Sequence, residues 1–567
     1  MDDPVIVTAR KKAYPGRLTC YFLFICVIAA TAGLMFGYVI GMSGGWTTMP
    51  SLLKKFFPDE YKQQQVNQNV GVTNQYCKFN AAMSVQFSAC SLFLAASGAS
   101  VAASLVTRFF GRRISMIIAA CLCLFGAATL QFSGDASDLK SNRAIFGLGI
   151  GIASQSAPLY LSEMAPCQHR GALNICFQLC ITLGIVASYA VNYIAEPALE
   201  YGWQISAMAA MIPAMIFLSS YILPETPISL IERGKQEDAR KILRMIRGID
   251  DVDEELDDLV AASVESRRIK CHWIHLLERK HRPQLVFVLL IPLFQQLTGI
   301  NAFMFYSHVL FRIIGFGNRA SLMCSIIIGS VNSAATILSI IAADKVGRKT
   351  MFIVGGVQMF ICQIAITILI ASKFGVNGNP GDLPKWYTIM VVITICIYIA
   401  GFAWSWGPLA WLVTSEILPL EIRSEGQSVN VCVNMFWTFL VGQTFTHMLC
   451  HLKFGLFIVL ACFVLLMTIL VLQNFPETKG IPIEEMADIW KSHPYWKKFV
   501  EDVDKEAISV ENKVLDYLKR FVESRFSRLS RLIEGENDLP PDSSSEANPD
   551  VVTNYKRSKI GNWILGK

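Results

Sequence analysis

Seven neutral polar side chains lie inside long apolar stretches of this sequence, where a polar group is costly unless it meets a partner, a water-filled cavity or a ligand. An amide offers hydrogen-bond donors and acceptors, as a hydroxyl group does. The set therefore suits a ligand that carries several hydroxyl groups, whereas a peptide or an ionic ligand would require fixed charge. Hydrogen bonding between helices is the alternative for any single residue, and it explains the whole set less well. These residues are Gln178, Gln295, Gln296, Asn301, Asn332, Asn434 and Thr438.

Three tryptophans, Trp404, Trp406 and Trp411, occur in one of the same stretches. Their aromatic faces suit the C–H side of a sugar ring. The sequence offers no Ser/His/Asp arrangement, no zinc ligands at usable spacing and no phosphate-binding P-loop. We therefore expect no enzymatic activity, no metal and no cofactor.

The apolar stretches that hold these residues predict a membrane protein. Of the 567 residues, 53% are hydrophobic and 17% are charged, and stretches near the ~20 residues that cross a bilayer recur along the chain. The sequence predicts an all-α protein with twelve membrane spans, which we number 1 to 12. They are 18–45, 82–107, 114–133, 143–165, 171–195, 203–223, 284–313, 320–343, 350–372, 386–414, 427–449 and 453–474.

Lysine and arginine are concentrated in connections that fall on one side of the membrane if every span crosses it. The positive-inside rule makes that side cytoplasmic, with the N-terminus 1–17, a linker over 224–283 and a tail over 476–567. This bias accounts for the net charge of +6 without a nucleic-acid partner. Within the tail, 508–533 could form an amphipathic helix on the membrane or remain without a partner, and the residues after it have the composition of disorder.

The two halves of the chain, 18–223 and 284–475, resemble copies of one six-helix unit. "RFFGRR" after span 2 matches "DKVGRK" after span 8, and "LPETP" after span 6 matches "FPETKG" after span 12. In addition, "YLSEMAPCQHR" and "VTSEILPLEIR" both place a glutamate seven residues before an arginine. Three matched elements in the same order indicate duplication, which in transporters places a substrate site near the middle of the membrane, between the halves.

Two of the sixteen cysteines are expected on the outer side of the membrane, where a disulfide can persist. Cys77 follows a long polar loop, 46–81, which could cap the outer mouth, and Cys450 ends span 11. The residues alone leave two readings open, a bridge or two unpaired thiols.

Several motifs together resemble the sugar porters of the major facilitator superfamily. They are "PLYLSE", "LPETP", "FQQLTGIN", "DKVGRK", "GPLAWLVTSEILPLEIRSEG" and "FPETKG". "NQYCKF" before span 2 and "LCHLKFG" before span 12 narrow the resemblance to the plant monosaccharide–proton symporters. It covers roughly residues 15 to 497 and leaves the tail outside.

This resemblance implies a major facilitator fold, alternating access, a hexose such as glucose as substrate and a plasma-membrane location. It also implies that Cys77 pairs with Cys450, and that Phe36 and Ile40 flank the sugar from span 1. The remaining implied binding residues are Gln178, Gln295, Gln296, Asn301, Asn332, Trp411, Asn434 and Thr438.

The repeated basic motifs gain a role from the same resemblance. Their arginines and lysine are expected to form ion pairs with acids at the cytoplasmic ends of the spans and so to lock an inner gate. A purely topological role would explain the basic residues but not the matched acids. The expected gate residues are Arg112, Arg113, Glu163, Arg170, Glu225, Arg348, Lys349, Glu416, Arg423 and Glu477.

One residue departs from the family pattern in a way that bears on energy coupling. Proton-driven members have an aspartate in span 1 that faces an arginine in span 4. The arginine is present as Arg143, but Val39 stands where the aspartate is expected. A buried carboxylate beside a cation titrates and can bias the two conformations, which valine cannot do.

Three functional readings follow from this substitution. The protein could be a uniporter, it could couple protons through another group such as His308 or His447, or it could be a membrane sugar sensor that binds without transport. Proton symport is implied by the resemblance, and its partner acid is absent at Val39. Which monosaccharide is preferred and the oligomeric state are left open by the sequence.

Overall fold

The computed structural model describes residues 19–500 apart from 48, 70–74, 78–82, 167–168, 198–199, 268–271, 315, 376–377, 379–382 and 482–485. The N-terminus 1–17 and the candidate amphipathic helix 508–533 lie outside the described residues.

The described residues form helices joined by short connections, and none of them is in a strand. Span 1 consists of Cys20–Ala30 and Ala32–Trp46, and span 6 consists of Gly202–Ala209, Met211–Leu218 and the 3₁₀ turn Ser219–Ile222. Spans 2 to 5 are Met83–Phe110, Arg112–Leu130, Ala136–Met164 and Arg170–Ala195.

The second half repeats this arrangement. Span 7 consists of Arg282–Leu297 and Ile300–Ile313, and span 10 consists of Lys385–Trp404 and Trp406–Glu416. Spans 8, 9, 11 and 12 are Asn318–Val346, Arg348–Phe374, Arg423–Leu452 and Gly455–Asn474.

Eleven of these twelve spans are both long and apolar enough to cross a bilayer by composition, within the described residues. The remaining one is span 11. It is 30 residues long but is more polar than the others, since it buries Gln427, Asn430, Asn434 and Thr438. Polar residues inside a membrane bundle face the protein interior or a cavity. The polarity of span 11 thus reflects its position against the other spans, and the prediction of an all-α membrane protein is confirmed.

Short helices connect the spans outside the membrane. The linker contains Pro227–Glu232, Gln236–Arg247, Asp253–Arg267 and His272–Leu276, followed by the 3₁₀ turn Arg279–His281. The loop after span 1 contains Pro50–Phe56, Pro58–Asn69 and the 3₁₀ turn Gln75–Cys77. The 3₁₀ turn Leu420–Ile422 joins spans 10 and 11, and Met486–Ser492 follows span 12.

Glycines on one face of span 1 bring its backbone close to span 5. A Cβ on Gly37 would overlap the carbonyl oxygen of Ile181, and a Cβ on Gly33 would overlap that of Phe177. One turn further on, a Cβ on Gly41 would lie 2.9 Å from that of Ser188. Small residues allow such close packing of membrane helices, so spans 1 and 5 are held at a fixed separation.

Span 7 is interrupted between its two helices. Gly299 has a φ of 83°, a left-handed conformation that glycine adopts without a steric penalty. The interruption leaves the carbonyl of Thr298 available to the side chains of Gln363, at 2.8 Å, and Tyr398, at 2.7 Å. Broken helices of this kind accompany binding sites in transporters, and two of the candidate binding residues, Gln296 and Asn301, flank the break.

Cys77 and Cys450 form a disulfide with Cα atoms 4.6 Å apart. Beside it, the ring of Tyr76 packs on Phe374, with centroids 5.8 Å apart. The bridge and this ring contact together hold the turn before span 2 against spans 9 and 11. We refer to this end of the bundle as the disulfide end and to the opposite end, which carries Arg112 and Arg348, as the basic end.

Candidate functional site

A central cavity is lined by residues from both halves of the bundle. Nine of the ten candidate binding residues line it, and the tenth, Thr438, lies behind Asn301, which donates to its hydroxyl at 3.3 Å. The candidate residues that line the cavity are Phe36, Ile40, Gln178, Gln295, Gln296, Asn301, Asn332, Trp411 and Asn434.

Several of the amides are paired with one another. Asn434 Nδ2 donates to Gln295 Oε1 at 2.6 Å, and Asn301 Nδ2 donates to Gln296 Oε1. Gln295 Nε2 also donates to the carbonyl of Gly407 at 3.0 Å. These bonds orient the amides around the cavity, and each pair can exchange its mutual bond for bonds to a hydroxylated ligand because amides and hydroxyls both donate and accept.

Asn332 and Asn434 each keep an acceptor that finds no protein partner. The Oδ1 atoms of both residues are buried and make no hydrogen bond within the described residues. A buried acceptor without a partner costs about 1–3 kcal/mol. Both side chains line the cavity, so a ligand that donates hydrogen bonds would satisfy them.

Trp411 supplies the aromatic wall of the cavity. Its ring meets Phe36 at 6.4 Å and Phe177 at 5.2 Å between centroids, both edge to face. The expectation that the other two tryptophans of span 10 share this role is not met by the structure. Trp406 donates to the carbonyl of Phe352 and Trp404 donates to Gln358 Oε1, each at 3.0 Å, and neither lines the cavity.

Five apolar lining residues were not identified from the sequence. Two of them, Ile181 and Ile185, lie three and seven residues after Gln178 and so share its helix face, a spacing that could have identified them. The other three are not distinguished by sequence from residues that face lipid. The five are Ile181, Ile185, Ile300, Met304 and Phe402.

Arg143 lies fully buried in span 4, close to the substituted position of span 1. Its guanidinium donates to Ser43 Oγ at 2.5 Å and to the carbonyl of Ala89 at 2.6 Å, and it lies 4.8 Å above the ring of Trp46. Its Nε and Nη1 atoms have no hydrogen-bond partner among the described residues. Val39, one helical turn before Ser43, is also fully buried. Among the described residues, the hydrogen-bond partners of Arg143 are thus neutral, and none of them is a carboxylate.

An ion-pair network at the basic end joins spans 3 and 4 with the start of the linker. Arg112 pairs with Glu163 and with Glu232, each at 2.8 Å. Glu225 accepts from the backbone N–H of Arg112 at 2.9 Å, and Thr226 donates its hydroxyl to Glu163 at 2.6 Å. The carboxylates are thus satisfied by several donors at once.

The second half contains a matching network. Arg348 pairs with Glu416 at 2.8 Å and with Asp344 at 3.1 Å. Glu477 accepts from the backbone N–H of Arg348 at 2.8 Å, and Thr478 donates its hydroxyl to Glu416 at 2.9 Å. The correspondence with the first half extends from sequence motif to individual hydrogen bonds.

Two basic residues of the expected gate contribute differently. Arg113 and Lys349 meet Glu225 and Glu477 through backbone N–H groups, at 3.3 and 3.1 Å. The side chain of Arg113 donates instead to the carbonyl of Tyr221 at 2.5 Å.

The two arginines that follow a glutamate by seven residues, Arg170 and Arg423, lie at the first residues of helices. Arg170 is half-buried at the first residue of span 5. Arg423 is buried at the first residue of span 11, and its Nε donates to the carbonyl of Leu418 at 3.3 Å.

These ion pairs lie within each half, so they do not by themselves join one half to the other. Hydrogen bonds in which at most one partner is charged cross the boundary between the two halves at the basic end. Asn174 donates to Ser415 Oγ at 2.7 Å, and the hydroxyls of Thr107 and Ser424 lie 3.1 Å apart. The networks therefore fix the ends of spans within a half, while hydrogen bonds and the Cys77–Cys450 disulfide join the two halves.

Comparison with known proteins agrees with this architecture. Residues 25–490 match the family model described as "Sugar (and other) transporter". The chain is 55% identical to "Sugar transport protein 1" of Arabidopsis thaliana, over 88% of this chain and 95% of that protein. It is 54% identical to "Sugar carrier protein C" of Ricinus communis, over 87% of this chain and 94% of that protein.

A solved structure supports the fold independently. The proton:xylose symporter XylE, bound to 6-bromo-6-deoxy-D-glucose, superposes with a TM-score of 0.71 at 26% identity, over 83% of this chain and 99% of that chain. These similarities cover both halves of the bundle and the cavity between them, and the chain belongs to the family of membrane transporters for sugars and other solutes.

Proposed function

We propose that this protein carries monosaccharides, hexoses such as glucose among them, across the plasma membrane by alternating access and without obligatory proton coupling. The observation that carries the uncoupled part is the surrounding of Arg143, where Ser43 and a backbone carbonyl take the place of a titratable carboxylate. The relatives that support sugar as the substrate are named sugar transport and sugar carrier proteins.

The cavity supports a sugar as ligand through its balance of polar and apolar groups. Amides from spans 5, 7, 8 and 11 surround it, and the indole of Trp411 forms one wall. A pyranose presents hydroxyls at its edge and C–H groups on its faces, which match amides and an aromatic ring respectively. Among the described residues, no Asp, Glu, Lys or Arg lines this cavity, in keeping with a neutral ligand.

Alternating access is supported by the division of contacts between the halves. Each half is held rigid at the basic end by its own ion pairs, so the halves can separate there by breaking hydrogen bonds such as that between Asn174 and Ser415. We place the basic end and both termini on the cytoplasmic side, following the positive-inside rule. The disulfide end then faces the outside, where a disulfide persists.

Downhill transport needs only a binding site and two gates, and this chain retains both. Proton coupling needs in addition a group whose charge changes with the conformation. Within the described residues, no aspartate or glutamate pairs with Arg143. Of the two alternative histidines, His308 is buried in span 7. His447 is exposed near the disulfide end, and its ring centroid lies 4.3 Å from that of His451.

Uptake of radiolabelled glucose in cells that lack their own hexose carriers tests the proposal. We expect saturable uptake that a protonophore leaves nearly unchanged, and no sustained inward current on addition of sugar. A large acid-stimulated current would refute uncoupled transport and favour a histidine as the coupling group. Binding of sugar without uptake or exchange would instead identify a sensor.

A further inference from the structure

Two histidines and a glutamate converge outside the sugar cavity, at the basic end of the second half. The Nε2 atom of His275 lies 3.0 Å from Glu421 Oε2 and 3.2 Å from the Nε2 atom of His281. The third side of this triangle, from His281 Nε2 to Glu421 Oε2, measures 3.7 Å. Three atoms that can each hold a metal ion thus lie within 3.7 Å of one another.

In one tautomer of His275, the cluster presents lone pairs that a cation could bind. His275 Nδ1 lies 2.9 Å from Glu278 Oε2, and a neutral imidazole that donates there leaves its Nε2 as an acceptor. Glu421 would then place a second acceptor 3.0 Å away. His281 is nearly fully buried, and its Nδ1 has no hydrogen-bond partner among the described residues. A positive ion between the three atoms would turn this repulsion into attraction.

The distances fit a transition metal. Zinc bonds of about 2.0–2.1 Å to nitrogen or oxygen in a tetrahedron separate neighbouring ligand atoms by about 3.4 Å. The three measured separations, 3.0, 3.2 and 3.7 Å, scatter around that value. The contact between Glu278 and the far nitrogen of His275 matches the carboxylate that commonly orients a metal-binding histidine.

Charge and access favour the same ligand. The cluster supplies one carboxylate oxygen and two imidazole nitrogens, which are ligand types that a divalent transition metal accepts. The side chains of His275 and Glu421 remain 17% and 19% exposed. An ion can therefore reach the cluster from solution, and water can occupy a fourth position.

We propose that His275, His281 and Glu421 form a binding site for a divalent transition metal of the zinc class. His275 and His281 end the linker, whereas Glu421 lies in the turn between spans 10 and 11. A bound ion would fasten the linker to this turn. The site does not depend on the proposed transport function, since it touches neither the sugar cavity nor Arg143.

Zinc binding by the full-length protein in detergent or nanodiscs tests this site. The protein should be purified with a tag that contains no histidine, equilibrated with ZnCl₂ and dialysed before its zinc content is measured. We expect about one additional Zn²⁺ per chain relative to the variants His281→Ala and Glu421→Gln. Replacement by Co²⁺ should give the visible absorption of a four-coordinate ion, which both variants lose.

Two further variants separate a built site from adventitious binding. His493→Ala removes a half-buried histidine elsewhere on the same side and should leave zinc content unchanged. Glu278→Gln should weaken zinc binding about tenfold by disturbing the orientation of His275. Glu421→Gln preserves size and polarity, so its gel-filtration profile should match that of the unmodified protein. Zinc content that is equal in the unmodified chain and in Glu421→Gln would overturn the proposal.

Discussion

Asp344 accepts a hydrogen bond from the backbone N–H of Ala172, 3.3 Å away, across the boundary between the two halves. The same carboxylate pairs with Arg348 of its own half at 3.1 Å. The first N–H groups of a helix have no intrahelical partner and attract negative charge, and Ala172 lies in the first turn of span 5. Through this one carboxylate, the ion-pair network of the second half reaches the first half.

Replacing Asp344 by alanine should weaken closure of the basic end. The N–H of Ala172 would lose its partner and Arg348 would lose one of two carboxylates, so the conformation open at this end should gain population. Hydrogen–deuterium exchange of residues 170–175 and 343–349 should become faster. Asp344→Asn keeps an acceptor for Ala172 without the charge and should give a smaller effect. Equal exchange rates in the alanine variant and the unmodified protein would show that this bond does not hold the halves together.

Replacing Val39 by aspartate should introduce proton dependence. Val39 lies one turn before Ser43 on the same helix face, and Ser43 already contacts Arg143 at 2.5 Å. A carboxylate there would pair with the guanidinium and titrate with the conformational cycle. We expect sugar-induced inward current and inhibition by a protonophore in Val39→Asp. Asparagine has nearly the shape of aspartate but carries no charge, so Val39→Asn should show neither the current nor the inhibition. A current in both variants would argue that titration of the carboxylate does not cause it.

Removing the side chain of Gln295 should weaken sugar transport at low concentration. Gln295 bonds to Asn434 and to Gly407 while lining the cavity, so Gln295→Ala leaves a ligand hydroxyl and Asn434 without a partner. At ~1–3 kcal/mol for such a group, the half-saturation constant should rise roughly 5- to 150-fold.

A matched control and a double variant make this test specific. Gln284→Ala removes a buried amide of the same span outside the cavity and should leave the constant unchanged. Because Gln295 and Asn434 are partners, the effects of Gln295→Ala and Asn434→Ala should not add in the double variant. Strict additivity, with normal surface expression, would place the two residues in independent sites.

Breaking the disulfide should lower the stability of the folded protein. The bridge links residues 373 positions apart, and removing a native disulfide typically costs roughly 2–4 kcal/mol. Cys77→Ser and Cys450→Ser should each lower the midpoint of thermal unfolding, and the double variant should be no less stable than either. Cys462→Ser replaces an exposed free cysteine and serves as the control. An additive loss in the double variant would mean that the two cysteines act separately.

The number of spans and the amides that line the cavity could be predicted because their physical signals are local. A run of apolar residues has to be long enough to cross the bilayer, and an amide inside such a run requires a partner or a ligand. The sequence predicts span 11 as one of these apolar stretches, although it is more polar than the other eleven spans and buries Asn434 and Thr438. The apolar lining residues Ile300, Met304 and Phe402 carried no such signal.

Long-range pairing accounts for the features that the sequence did not predict. Arg112 and Arg348 each pair with a glutamate of the expected set. Arg113 instead turns its side chain to the carbonyl of Tyr221, which depends on how helix ends meet in space. Likewise His275 and Glu421 are separated by 146 residues, so their spacing along the chain resembles no metal motif. Residues that the fold alone brings together could not be recognised as a group beforehand.

The buried positive charge of Arg143 determines how the membrane potential acts on the movement of the first half. This charge is buried with no carboxylate pair among the described residues, so displacing it along the membrane normal does work with or against the membrane potential, depending on the direction. Moving one elementary charge through a full 100 mV costs about 2.3 kcal/mol. If the first half carries Arg143 along the membrane normal during transport, we expect voltage-dependent kinetics and transient charge movements, even for a cycle in which no ion crosses with the substrate.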